Sequence, residues 1–71
     1  MNKIIEKLKD LEQERNSIIR CQEQLRDKMK NENGDTYIKL MQTYKDNKKE
    51  LEEVNRKIQI LNETIDIVEN I

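Results

Sequence analysis

The side chains that could take part in chemistry are few here and poorly spaced for it. The chain has no His and a single Cys, Cys21, so neither a thiolate–imidazole pair nor a zinc-binding set can be assembled. Carboxylates are plentiful, and Glu50, Glu52 and Glu53 form the densest run. They alternate with Lys48, Lys49, Arg56 and Lys57, a mixture that reads as a solvated face rather than an ion site. The segment Asn31-Glu32-Asn33-Gly34-Asp35 has the polar cast of a calcium loop. With Gly34 at the sixth position, however, Met29 and Leu40 fall at the first and twelfth, where carboxylates are needed. Asn62-Glu63-Thr64 matches the glycosylation acceptor pattern, but it falls inside a predicted helix, and chance explains it better. We expect no catalytic residue, cofactor or metal, and a protein that is not an enzyme.

A basic group deserves separate weighing. Residues 20–49 carry eight Lys or Arg against five Asp or Glu, a balance of +3, and the rest of the chain holds the compensating −4 of the overall −1. Arg26, Lys28, Lys30, Lys45, Lys48 and Lys49 would be the phosphate contacts of a nucleic-acid binder, with Tyr37 or Tyr44 stacking on a base. Such a balance is far below that of a dedicated binder. The spacing of the two tyrosines also places both rings in a helical seam with their hydroxyls at its edge. RNA or DNA binding through the basic half is therefore the secondary expectation.

The elements that must carry these residues follow from hydrophobic spacing. In the first half, Met1, Leu8, Arg15, Gln22 and Met29 take the a positions of a heptad and Ile4, Leu11, Ile18 and Leu25 the d positions. In the second half the a positions are Tyr37, Tyr44, Leu51, Ile58 and Ile65, and the d positions Leu40, Asn47, Val54, Leu61 and Val68. The phase slips by one residue across Gly34, the only Gly in the chain, so one continuous coiled coil is disfavoured. An antiparallel pair sets a opposite d, and here the two numbers of every such layer add to 69, from Met1 with Val68 to Met29 with Leu40. Half of that sum falls between Gly34 and Asp35, where the turn chemistry lies.

The predicted fold is all-α: an antiparallel two-helix coiled-coil hairpin, one domain over 1–71. Helix one spans about 3–33 with Asn2 as N-cap, a turn occupies about 33–36 with Gly34 at C′ and Asp35 capping the second helix, and helix two spans about 36–70. At about 31 residues per helix the rod would be roughly 45 Å long. In outline alone such a hairpin resembles the small plasmid-encoded dimers that bind paired RNA loops and the arm by which seryl-tRNA synthetases hold tRNA. That resemblance transfers no residues.

Two layers are informative. Gln22 faces Asn47, two amides in an otherwise apolar seam; a hydrogen bond across it would fix the register, and the equally weighted alternative is that both amides simply face water near the middle of a thin bundle. Arg15 faces Val54, a poor match unless its stem lies along the seam while the guanidinium reaches Glu12 or a carboxylate of the other helix. On the surface of helix two, Lys49 with Glu53, Glu52 with Arg56 and Glu53 with Lys57 are spaced for i,i+4 pairs.

Two helices bury only a strip of each other, and the composition, 41% charged and 34% apolar with no Pro, Phe or Trp, is that of long exposed helices. The thin core favours association. Ile5 and Ile19 at e, Ile60 and Ile67 at c and Ile71 at g lie off the seam and are the candidate self-association residues. The expected function is a non-enzymatic protein–protein interaction module (a small regulator, inhibitor or assembly adaptor) that self-associates through its Ile-rich open end into a dimeric four-helix bundle and also meets a protein partner. With one thiol, no apolar run long enough for a membrane span and no secretion signal in the opening residues, the expected setting is cytoplasmic, without membrane contact.

Overall fold

The computed structural model describes the backbone of residues 2–70 and the side chains of residues 3–70. It is an antiparallel pair of helices, α1 (Asn2–Lys30) and α2 (Gly34–Glu69), with no strand among the described residues. Both helices follow from the sequence: no proline interrupts either, the single glycine sits between the seams, and Glu, Lys, Gln and Arg, all good helix formers, fill the surface.

The turn differs from expectation in detail. α1 stops at Lys30, where 3₁₀-type bonds from Asn31 N to Lys28 O (3.2 Å) and from Glu32 N to Met29 O (3.4 Å) tighten its last turn. Asn31 and Asn33 favour turns over helix interiors, so α1 ends short of Asn33. Gly34 is the first residue of α2 rather than the C′ residue of α1, and its φ of +68° lies in the left-handed region where glycine is least strained. Asn33, not Asp35, is the N-cap of α2; its side chain makes no capping bond, and Asp35 sits in the first turn near the positive end of the helix dipole. At the other end of the chain, α1 already includes Asn2, whose side chain, like Met1 and its layer with Val68, lies outside what the structure describes.

The rod is 56 Å long and 14 Å across, a length set by the 36 residues of α2, which span about 54 Å; the 45 Å expected took the shorter first helix as the measure of both. Its core is four side chains, Leu11, Ile18, Val54 and Ile58, with Leu8, Leu51 and Leu61 packed against them. These are the a and d residues of consecutive layers, Leu8 with Leu61 through Ile18 with Leu51, and they carry the pairing that sums to 69. Every described seam position is at least half-buried except Val68, which is 40% exposed.

The Arg15 layer is seated as its stem requires. Val54 is the most buried of the described residues, at 4% exposure, and Arg15 is half-buried, as an aliphatic stem laid along the seam would leave it. The expected ion pair is absent: among the described residues only Lys30 and Asp27 come within 4.0 Å, at 3.9 Å with both side chains exposed. Arg15 to Glu12 and the three i,i+4 pairs of α2 are not formed. Exposed charges gain little from pairing over hydration and lose side-chain entropy by it.

Candidate functional site

The surface divides into two flanks, one carrying the e and b positions of both helices and the other the g and c positions. On an antiparallel pair, e of one helix faces e of the other and g faces g. The structure places residues accordingly. Lys7 and Lys57, both at g, rim a shallow groove of about 190 Å³ floored by Leu11, Ile60 and Leu61. Farther along the same flank, a groove of about 340 Å³ runs past Cys21, Lys28, Asn47 and Glu50. On the opposite flank, Arg26 at e and Lys30 at b line a notch with Met29, Tyr37 and Tyr44.

This division separates the candidate association residues. Ile60 and Ile67, 55% and 64% exposed, belong to the g and c flank, whereas Ile5, 40% exposed, and the half-buried Ile19 belong to the e and b flank. Ile71 lies outside the described residues. They are two surfaces, not one patch, because c and e point to opposite sides of a helix whose a and d residues face its partner. Two exposed apolar side chains were not foreseen: Ile38, 55% exposed at b near the turn, and Val68. The b position of Ile38 was legible in the heptad frame. The exposure of Val68 was not, since its layer partner is Met1.

The two amides do not form the expected bond. Gln22 and Asn47 are both half-buried, but no hydrogen bond joins them, and the Asn47 Oδ1 is buried without any partner. The layer is an amide pair in position only. Unpaired, that oxygen costs on the order of 1–3 kcal/mol.

The basic residues do not all share one face. Arg26 donates from Nε (3.1 Å) and Nη2 (2.9 Å) to the Tyr44 hydroxyl, with its guanidinium carbon 5.7 Å from the ring centroid. The hydroxyl thus sits at the seam edge, as its a position predicts, and the half-buried ring is not a free stacking platform. Lys28 lies on the opposite flank and Lys49, at f, on the outer side of α2, whereas Lys45 at b and Lys48 at e, beside Asp46 and Glu52, share the flank of Arg26 and Lys30. Four of the six cations thus share one flank, where Glu12, Glu23 and Glu52 are interleaved with them.

Thr43 and Thr64 turn their hydroxyls back onto the Lys39 and Ile60 carbonyls. Among the described residues no three His, Cys, Asp or Glu side chains gather as a metal site would require, and no helix is long and apolar enough to cross a membrane. No protein-family model, curated protein or solved structure matches the chain. Its class therefore rests on the fold itself, an all-α antiparallel helical hairpin.

Proposed function

We propose that this protein is a non-enzymatic protein–protein interaction module, a helical hairpin that self-associates and keeps an apolar flank for a protein partner. The observation that carries this reading is the surface left open by so small a core. The chain exposes 5875 Å², about 1,200 Å² more than the roughly 4,700 Å² of a compact monomer of this mass. That surface includes Ile38, Ile60 and Ile67, each more than half exposed. Apolar area of this kind gains about 25 cal/mol per Å² when covered; pairing of hairpins into a four-helix bundle covers one flank and leaves the other for a protein partner. A small regulator, inhibitor or assembly adaptor uses such a surface, and a reducing cytoplasmic setting suits the exposed thiol of Cys21.

Sedimentation equilibrium tests the reading. The expected species has at least twice the 8.6 kDa chain mass. A monomer at all concentrations would overturn self-association. Tight binding to RNA or DNA at low salt with a steep salt dependence would replace the interaction module by the nucleic-acid reading.

A further inference from the structure

The e and b flank carries a charge pattern that is its own complement, and we infer that a second copy packs antiparallel along it, open end against turn end, with Ile19 on the twofold axis. The inference rests on the self-association proposed above and specifies its partner, orientation and residues.

Along α1 the e positions read Ile5, Glu12, Ile19 and Arg26. A twofold axis at Ile19 pairs residues whose numbers add to 38, so Glu12 of each copy meets Arg26 of the other. The layers that sum to 69 put residue 50 of α2 level with Ile19. There Lys48 at e and Glu52 at b lie two residues either side of the axis and pair across it in the same way. One axis therefore satisfies both helices, giving four opposite-charge meetings around an apolar centre. Lys9 and Lys30 meet at the solvent rim, where screening leaves little repulsion.

Three features of the folded hairpin favour this arrangement. Arg26 is already held by the Tyr44 hydroxyl through Nε and Nη2; three of its five N–H donors remain for a carboxylate, so little side-chain entropy is left to lose. Glu12, Ile19 and Met41 on this flank are half-buried within one hairpin although they lie off its seam, and a covering copy would complete their burial. A face 56 Å long and 14 Å wide gives each copy a flat footprint of at most about 780 Å², against the roughly 800 Å² per partner of a stable interface. Overlap of the open ends alone would cover about half of that. The parallel alternative would also set the −4 of one open end against the −4 of the other, whereas the antiparallel one sets it against the +3 of the turn half.

Charge reversal in sedimentation equilibrium tests the register, since each substitution acts at both symmetric meetings. Glu12→Arg and Arg26→Glu are each expected to weaken the dimer by about tenfold or more, and the double variant Glu12→Arg with Arg26→Glu to restore it. Ile19→Lys is expected to yield monomer. All four variants lie off the four-residue core and should keep the circular dichroism of a helical hairpin; any that does not is replaced by Lys48→Glu with Glu52→Lys, which reads the same axis on α2. A double reversal that stays dissociated would overturn the antiparallel register. A dimer that survives Ile19→Lys but disperses on Ile60→Lys with Ile67→Lys would overturn the choice of flank while leaving the interaction module intact. A wild-type monomer would overturn both.

Discussion

From the open end to the layer of Ile18 with Leu51 the seam is aliphatic apart from the Arg15 stem, and it holds all four buried residues; from Gln22 to the turn no described side chain is buried. The two halves share helix geometry, heptad spacing and pairing rule. They differ in what fills the seam. Leu, Ile and Val close it in the first, while two amides, two tyrosines and Met29 leave it half-open in the second. Polar atoms there need partners, and only the Tyr44 hydroxyl has found one across the hairpin. The comparison teaches that heptad spacing sets where a seam runs, whereas side-chain chemistry sets how dry it becomes.

Truncation in the aliphatic half should show the largest effect. Ile58→Ala is expected to cost about 2–4 kcal/mol by urea denaturation, since it empties one of the four positions buried among the described residues. Met29→Ala at the half-buried turn end should cost clearly less, and equal losses would break the contrast between the halves. Asn47→Leu, which removes the unpartnered Oδ1, should instead stabilise by about 1–2 kcal/mol. If it destabilises, the amide is making a compensating contact.

At the turn, Gly34→Ala meets no atom within 4 Å, so its cost is purely conformational, about 1 kcal/mol for an L-residue at positive φ, with Gly34→Asn losing less. The smallest expected effect is Tyr44→Phe. Loss of its exposed bonds to Arg26 should cost about 0.5–1 kcal/mol in thermal or urea denaturation. No change would mean that the turn half owes nothing to its polar contact.

Much of this fold was legible in the residues. The slip of phase at Gly34 and the constant sum of the layers named both helices, their antiparallel order and every member of the buried core. Helix ends were less legible, because Asn31 and Asn33 can end one helix or begin the next at similar cost and only the closing backbone bonds choose. The candidate surface was legible in part: Ile60 and Ile67 were named and are exposed, and their c positions already set them on the flank opposite Ile5 and Ile19 at e, although all five isoleucines were grouped as one surface. Ion pairs were the least legible, since spacing permits a pair such as Arg15 with Glu12 without making it outweigh hydration.

By itself the sequence determined that two amphipathic helices fold back on each other and in which register, because period and phase of apolar residues fix which face each helix must hide. Only the tertiary structure decided that Asn47 stays unpaired and that Arg26 is held by Tyr44. Those outcomes depend on distances between side chains of different helices. A one-dimensional pattern sets neighbours along a seam, but rotamers and hydrogen-bond geometry exist only once both helices are in place.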